Sequence, residues 1–332
     1  MSSLSDVIRE FGIAPFSTAE AQRRAITPGV LRNPALHRQY RGARMRGDSP
    51  ARLAQRALAY LPLLRPGDCF SHATALALLG CPIRVASAAP IDVEAAPGAA
   101  QPRRRGVLGH RRSEGPQPFS LELPGLLGRV PVSAPLRAVQ QAAGQLPFCE
   151  LIVALDYLLR ANGGVFDPLS QVDPVDLEWA VAQSAGPHAA RFRIAAGLAR
   201  VGAESRMETL TRLCGEAVGL SGLTLQRRVH GRDGSLIGRF DLADEETRSL
   251  YEYDGEQHRL DRKQYLRDLD RFAQVAETDW RPLRLHREQV LGEPIATGHR
   301  MLRHAGREPS PVSAPLRRLL AERSGRGTEA AQ

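Results

Sequence analysis

One short segment of the chain concentrates side chains that could do chemistry. Residues 251–258 read YEYDGEQH and contain four ionisable side chains that could bind a metal: Glu252, Asp254, Glu256 and His258. Residues 248–253 have the composition of a strand, and because side chains alternate along a strand, Glu252 and Asp254 would share one face. The Asp254-Gly255 pair is typical of a hairpin turn, but no second strand pattern follows it. We therefore expect Asp254 at the exit of a strand, where α/β modules tend to build sites.

A further carboxylate could complete a metal site. Asp241 ends the preceding predicted strand, LIGRFDL, and if the two strands pair, Asp241 and Glu252 converge at one end of the sheet. Two carboxylates with water and a phosphate oxygen form a natural Mg²⁺ site, which could activate water for attack on a phosphodiester. His258 lies within one turn and could act as general base, general acid or phosphate ligand, whereas Glu256 is expected to face solvent. The alternative is that these carboxylates are only solvated, as charged surface groups usually are.

The elements that must position these residues form a compact α/β module at residues 203–292. Ser205 and Glu208 form a capping box that begins a helix, so Glu208 has two alternative roles, in the cap or in catalysis. Three strand patterns follow, then a helical pattern from 261 to 277, the strand RPLRLH and a short closing helix. The helix after the site carries charged residues expected to form ion pairs or to frame the site: Arg267, Asp268, Asp270 and Arg271.

This module resembles a known family through the strings SRMETLTRL, LTLQRRV, GRFDLADEETRSLYEYDGEQH, YLRDLDRF and WRPLRLHREQV. It is similar to an uncharacterised endonuclease-like family related to the very-short-patch repair endonucleases, within the PD-(D/E)XK restriction-endonuclease-like superfamily. The resemblance implies a DNA endonuclease in which Asp241 and Glu252 bind Mg²⁺ or Mn²⁺. It also implies that three residues complete the catalytic site: Asp254, His258 and Glu208. The superfamily has a lysine two residues after the second acid, and Asp254 stands at that position here.

Residues 1–85 have the element order of a winged helix. Ser17 and Glu20 form a capping box that begins a helix, residues 28–33 predict a second short helix, and LHRQYRGARMR predicts a basic strand pair. In this interpretation the short helix enters the major groove, and three arginines contact bases or phosphates: Arg32, Arg38 and Arg41. Alternatively, any small helical domain of an arginine-rich protein gives this pattern. A further helix is expected at residues 50–64.

Residues 86–200 form a middle α/β region in which no catalytic motif is evident. Its basic run is either a solvated loop or a phosphate-binding site: Arg103, Arg104, Arg105, Arg111 and Arg112. Residues 307–332 are expected to be a flexible tail apart from a helical turn at PLRRLLAER. Through PFSTAEAQRRAI, LHRQYRGARMR and RALAYLPLLRPGDCFSHATALALLG, the first two regions resemble the type IV abortive-infection antitoxins. That resemblance implies a winged-helix transcriptional regulator.

The composition of the chain limits its class and its partners. A net charge of +9 favours a polyanionic partner such as nucleic acid. Lys263 is the only lysine among 45 basic residues, however, and a GC-rich genome would give the same arginine excess. The four cysteines are scattered singly and are expected to be buried thiols: Cys69, Cys81, Cys149 and Cys214. No apolar run is long enough for a membrane span and no signal peptide is evident, so we expect a cytoplasmic protein without a membrane partner.

Together these patterns predict a mixed α/β (α+β) chain and leave two main functions open, besides a third in which the same site acts on RNA or on a mismatch. The first is a Mg²⁺- or Mn²⁺-dependent DNA endonuclease with an N-terminal DNA-binding domain, acting in defence or repair. The second is a non-catalytic, antitoxin-like regulator that binds DNA and keeps a degenerate nuclease fold. DNA is the expected partner in both, a homodimer stays open, and a toxin protein is the further partner of the regulator.

Overall fold

The computed structural model has the mixed α+β fold that the sequence predicts, with helices packed on mixed and antiparallel sheets. It describes residues 3–112, 117–123, 126, 128–160, 172–255, 270–323 and 328–330. The chain divides into two compact units. Unit 1 comprises Met1–Leu146, Asn162–Ala196 and Ser324–Gln332; unit 2 comprises Pro147–Ala161 and Gly197–Arg323. The four-region division expected from the sequence remains a prediction.

Unit 1 begins with a small helical and stranded subregion. Its elements are α1 (Leu4–Phe11), β1 (Phe16–Ser17), α2 (Thr18–Arg23), β2 (Leu36–His37) and β3 (Ala43–Arg46). The sheet order is β1-β3-β2, and β3 is antiparallel to both neighbours. The Ser17 hydroxyl accepts the Glu20 N–H and caps α2, as predicted. A cluster of buried apolar residues holds these elements together: Val7, Phe16, Ala21, Ile26, Leu31 and Leu36. The elements follow one another as helix, strand, helix, turn and β-hairpin, and their assignment to a winged helix remains a prediction.

Two predicted helices of this region are shorter than expected. The helix at residues 28–33 is only a 3₁₀ turn, Val30–Arg32, because Pro34 forces the preceding residue into an extended conformation. The helix at residues 50–64 is α3 (Leu53–Tyr60), followed by a 3₁₀ turn, Leu61–Leu63. Pro62 has no N–H to donate and ends the α-helical pattern there.

The rest of unit 1 surrounds a five-stranded sheet with the order β7-β6-β4-β9-β8. Its strands are β4 (Cys69–Phe70), β6 (Ile91–Glu94), β7 (Val107–His110), β8 (Phe119–Glu122) and β9 (Arg129–Val132). The helices are α4 (His72–Leu78), α5 (Pro135–Ala142), α7 (Pro174–Gln183) and most of α8 (Ala189–Leu198). Strands β5 (Arg84–Ala86) and β14 (Thr328–Ala330) form a separate antiparallel pair.

Unit 2 contains a four-stranded sheet with the order β10-β11-β12-β13. Its strands are β10 (Thr224–His230), β11 (Leu236–Asp244), β12 (Ser249–Asp254) and β13 (Arg281–His286). Its helices are α6 (Phe148–Leu158), α9 (Arg206–Glu216), α10 (270–276), α11 (Pro294–Ala305) and α12 (Ala314–Leu320), with a π-helical turn at Glu288–Gly292. The order α9, three strands, α10 and β13 matches the predicted module. Because β12 and β13 are parallel, these two strands are not joined by a tight hairpin, and the residues directly after Gly255 lie outside the described residues.

The two faces of this sheet pack against different helices. One face contributes to a core that includes Phe240, Leu250, Val275 and Trp280, with Phe272 of α10 at its edge. On the other face Tyr251 is fully buried, and its hydroxyl donates to the Met301 carbonyl oxygen of α11, 3.2 Å away. α11 packs so closely against α9 that a Cβ atom at position 298 would collide with the Cys214 carbonyl oxygen. Glycine is therefore required at position 298.

A buried ionic network joins α6 to α9. The Arg212 guanidinium, 1% exposed, donates to Asp156 Oδ2 at 2.8 Å and to Glu216 Oε1 at 2.7 Å. Thr209 Oγ1 and the Arg200 backbone N–H also donate to Asp156. Burial raises the pKa of Asp156, while Arg212 and these hydrogen bonds lower it. The network satisfies charges that would be costly to bury alone.

Two predictions about the whole chain can be compared with the structure. The four cysteines are buried and free, as expected. Among the residues that the structure describes, no helix is both long and apolar enough to cross a membrane.

Candidate active site and basic pocket

The predicted carboxylates lie in a row across the sheet of unit 2. The paired residues of β11 and β12 end at Leu242 and Tyr251, and Asp241 and Glu252 are the next residues of the two strands, joined by a hydrogen bond from the Asp241 N–H to the Glu252 carboxylate. Strand β12 continues the row, because Glu252 pairs with Arg284 of β13. Asp241 lies within β11 rather than at its end, since β11 extends to Asp244. The expectation that the two strands pair is confirmed, and the position of Asp241 at a strand end is corrected.

Backbone and side-chain hydrogen bonds fix the two carboxylates against each other. The Tyr253 N–H donates to Asp241 Oδ2 at 2.8 Å, and the Asp241 N–H donates to Glu252 Oε2 at 3.4 Å. The Arg271 guanidinium of α10 donates to Glu252 Oε1 at 2.6 Å. Arg271, expected either to form an ion pair or to help frame the site, forms an ion pair with Glu252.

Glu208 reaches this row from the first turn of α9 and is 8% exposed. Its N–H donates to the Ser205 hydroxyl, which confirms the predicted cap. Its carboxylate does not return to the Ser205 backbone, however. Instead Glu208 Oε2 accepts from the Glu204 N–H at 2.8 Å and from Gln226 Nε2 at 2.7 Å. Gln226 lies opposite Asp241 in the β10–β11 register, so the Glu208 carboxylate is held at the edge of the row.

Burial, together with the neighbouring negative charges, raises the pKa of Asp241 to about 8. Burial is the largest cause, followed by the negative charges of Glu252 and Glu208, while the Tyr253 N–H and Arg271 act in the opposite direction. Burial also raises the pKa of Glu208. Carboxylates that repel one another in a partly buried position are typical of sites that bind a cation or exchange protons.

Asp254 lies two residues after Glu252 on β12 and faces two basic side chains of β13. Arg284 Nη1 is 3.5 Å and His286 Nδ1 is 3.7 Å from Asp254 Oδ2. His286 Nδ1 is buried and has no hydrogen-bond partner among the described residues. His258, predicted to complete the site, lies outside the described residues, as do Glu256 and the arginine and aspartate at 267 and 268.

Sequence reasoning missed several residues of this site. Gln226 carries no motif, yet its backbone has φ +54°, a left-handed conformation that costs energy in a non-glycine residue and recurs at functional sites. Arg284 and His286 are invisible in a linear motif because β13 is brought beside β12 only by the parallel crossover. The alternation in RPLRLH is the one signal that could have placed both on the face of Glu252 and Asp254.

The donor set of the row fits a hard divalent cation. Asp241 and Glu252 offer carboxylate oxygens, the ligands that Mg²⁺ and Mn²⁺ prefer. The ligand atoms of Asp241, Glu252 and Glu208 do not all lie within 4.8 Å of one another. Among the described residues, a group of three ligand atoms that close together is found only elsewhere in the chain. Two protein carboxylates would therefore hold the cation, with water and phosphate oxygens at its other positions.

A separate basic pocket lies in unit 1. It has a volume of about 890 Å³ and is formed by the turn between β2 and β3 together with the loop before β7. Its lining, within the described residues, contains no acidic side chain and five arginines: Arg38, Arg41, Arg103, Arg104 and Arg105. Arg104 Nη1 donates to the Arg41 carbonyl oxygen at 2.9 Å and links the two segments.

The pocket joins two basic runs that are distant in sequence. Arg38 and Arg41, predicted to contact DNA, lie in its lining with exposed side chains, whereas Arg32 is exposed on the 3₁₀ turn and is not part of it. Tyr40 forms the floor, 5% exposed, with its ring edge-on to Tyr60 at 5.1 Å. Within the part of the chain that the structure describes, no carboxylate forms an ion pair with these five guanidinium groups, and such a cavity favours phosphate oxygens as ligands.

The sequence matches no protein-family profile and no curated protein. The site and the pocket must therefore be interpreted from their own geometry.

Proposed function

We propose that the protein is a Mg²⁺- or Mn²⁺-dependent phosphodiester hydrolase that acts on DNA, with its metal held by Asp241 and Glu252. The observation that carries the proposal is that hydrogen bonds hold Asp241 beside Glu252 on the neighbouring strands β11 and β12, with Glu208 close to them. The repulsion between neighbouring carboxylates is relieved when a divalent cation binds to them. Such a cation polarises the phosphodiester and lowers the pKa of a water molecule.

The residues of the chain itself supply the remaining requirements of the reaction. The Tyr253 N–H and Gln226 hold the carboxylates in orientation, and preorganised groups of this kind need not reorganise during the reaction. Arg271, 2.6 Å from Glu252, is placed to neutralise a phosphate oxygen. His286 Nδ1 has no hydrogen-bond partner among the described residues and can hold or release a proton beside Asp254.

Plasmid cleavage tests the proposal directly. Supercoiled DNA incubated with the full chain is expected to be nicked or cut with Mg²⁺ or Mn²⁺ and left intact with chelator. Glu252→Gln keeps the shape of the side chain but removes its charge, so we expect a rate at least about 100-fold lower. Cleavage that persists in chelator, or a Glu252→Gln protein as active as wild type, would contradict the metal site.

A DNA-binding regulator without catalysis is the second candidate. It is favoured by Asp254, which stands where the related nucleases carry a lysine and already faces Arg284. It is also favoured by the basic pocket, which needs no catalysis to bind DNA. In that case the full chain binds DNA but leaves the plasmid intact with every metal.

Both candidates predict that the basic pocket contributes to DNA binding. Each phosphate contact that is lost lowers the slope of log affinity against log salt by about 0.9. The double variant Arg38→Ala with Arg41→Ala is expected to lower that slope by about 2 and to weaken binding roughly 10-fold or more. Fluorescence anisotropy with a labelled duplex across salt concentrations measures both quantities.

A matched control is Arg193→Ala, which removes an exposed arginine of α8 outside the pocket. Its salt slope and affinity are expected to equal those of wild type. If the pocket variant and the Arg193 variant behave alike, general positive charge rather than the pocket binds the DNA.

A further inference from the structure

A second group of metal-ligand side chains lies in unit 1, outside the predicted active site. His72 begins α4, Asp92 lies in the interior strand β6, and His110 ends the neighbouring strand β7. One ligand atom from each of the three residues lies within 4.8 Å of the other two. His110 Nε2 is 2.9 Å from Asp92 Oδ1, and the rings of His72 and His110 stack with centroids 3.8 Å apart.

The three side chains already lie near the spacing that a metal requires. A zinc ion binds nitrogen and oxygen ligands at about 2.0–2.2 Å in tetrahedral geometry, which places the ligands about 3.3 Å from one another. The distance from His110 Nε2 to Asp92 Oδ1, 2.9 Å, is somewhat shorter than this value, and the ligand atom of His72 lies within 4.8 Å of the other two.

Surrounding residues orient the ligands in the manner of a metal site. The Ser71 hydroxyl lies 3.0 Å from His72 Nδ1, which leaves Nε2 of that ring for other contacts. Thr74 Oγ1 donates to Asp92 Oδ2 at 3.2 Å and Gln145 Nε2 donates to Asp92 Oδ1 at 3.1 Å. Ligands in metal sites are commonly held by such outer hydrogen bonds, which fix the ring tautomer and the carboxylate direction.

The conformation of His72 is a second, independent feature. Its backbone has φ +50°, a left-handed conformation that a non-glycine residue adopts only at a cost. Burial, with His110 and Arg137 close by, also lowers its pKa to about 4, while Asp92 acts in the opposite direction. A neutral imidazole presents the lone pair that a metal requires. The hydrogen bond between His110 and Asp92 does not itself require His72, so that bond alone does not explain why the His72 ring is held against His110.

The donor set indicates the class of cation. Two imidazoles and one carboxylate suit Zn²⁺ and related transition metals, whereas Mg²⁺ prefers oxygen ligands alone. Three protein ligands leave a position open for water or a further ligand. His110 is 20% exposed in its side chain, so solvent reaches the group.

We infer that His72, Asp92 and His110 form a binding site for one transition-metal ion of the Zn²⁺ class in unit 1. This site is distinct from the Asp241 and Glu252 site in residues, ligand chemistry and preferred metal.

Calorimetric titration of the full chain tests this inference. Chelator-treated protein is titrated with Zn²⁺ in excess Mg²⁺, so that the carboxylate row is already occupied by a cation. Wild type is expected to bind one Zn²⁺ per chain, and replacing Zn²⁺ by Co²⁺ should give a visible absorption band from nitrogen and oxygen ligands. His72→Asn and His110→Gln should each weaken Zn²⁺ binding about 100-fold or more, because losing even an outer hydrogen bond costs 10- to 100-fold.

The variants are chosen so that folding does not decide the result. Asparagine tolerates the left-handed backbone of residue 72, and the thermal unfolding midpoint of each metal-free variant is compared with that of metal-free wild type. His230→Ala removes an exposed histidine of β10 and should bind Zn²⁺ as wild type does. Wild type that binds no stoichiometric Zn²⁺, or either triad variant that binds with wild-type affinity, would overturn the site.

Discussion

Asp241→Asn is expected to abolish metal-dependent cleavage and at the same time to stabilise the folded protein at pH 8. Asparagine matches aspartate in shape and keeps an oxygen for the Tyr253 N–H, but it carries no charge to hold a divalent cation. The rate should fall at least about 1,000-fold, because a metal ligand contributes to binding and to transition-state stabilisation. Active sites commonly keep such residues at a cost in stability.

The expected gain in stability follows from the raised pKa of Asp241. The Asp241 carboxyl group has its ordinary pKa of about 3.8 in the unfolded chain, and its pKa rises to about 8 in the folded one. Between these values the folded state binds more protons, so its stability falls as the pH rises through this window. Removing the charge should therefore raise the free energy of unfolding by about 2 kcal/mol or more at pH 8 and by close to zero at pH 4.

Urea denaturation of both proteins at the two pH values measures this difference, and plasmid cleavage measures the rate. Asp279→Asn is the matched control, since Asp279 is exposed in the same unit. It should change neither quantity. An Asp241→Asn protein that cleaves like wild type removes Asp241 from the metal site, and one that is less stable at pH 8 contradicts the raised pKa.

Arg212→Met is expected to destabilise the fold more than any surface substitution. The change leaves the Asp156 carboxylate, fully buried in unit 2, without its cationic partner. Removing one member of a buried ion pair typically costs about 3–5 kcal/mol, because the remaining charge stays desolvated. The midpoint of urea denaturation should fall accordingly at neutral pH.

The contrast with Arg239→Met makes this measurement specific. Arg239 forms two short hydrogen bonds to Glu204, 2.7 and 2.6 Å, but both side chains are more than 40% exposed. Exposed pairs of this kind contribute about 0–1 kcal/mol. If the two substitutions lower the free energy of unfolding equally, burial does not account for the contribution of Arg212 to stability.

Local rules predicted much of the fold. Ser17 and Ser205 cap their helices as expected, and the strand LIGRFDL pairs with the strand that carries Glu252. These features depend on residues near one another in sequence. The same reasoning placed Asp241 at a strand end, because the alternating pattern weakens after it, whereas pairing with β12 extends β11 to Asp244.

Long-range pairing explains what could not be predicted. His286 and Arg284 reach Asp254 through a parallel strand pair, and Arg41 contacts Arg104 through the packing of two loops. His72, Asp92 and His110 have no regular spacing along the chain, so no motif connects them. The roles assigned to Asp241, Glu252, Asp254, His258 and Glu208 remain predictions.

The helix α6 has a practical consequence for dividing the chain. Two arginines of α9, Arg206 and Arg212, pair with Glu150 and Asp156 of α6, each pair 56 residues apart in sequence. A recombinant fragment that starts at residue 203 would follow the limits of the nuclease-like motif but would discard both carboxylates. Its two arginines would then lose those partners, so the smallest fragment that preserves unit 2 must begin before Pro147.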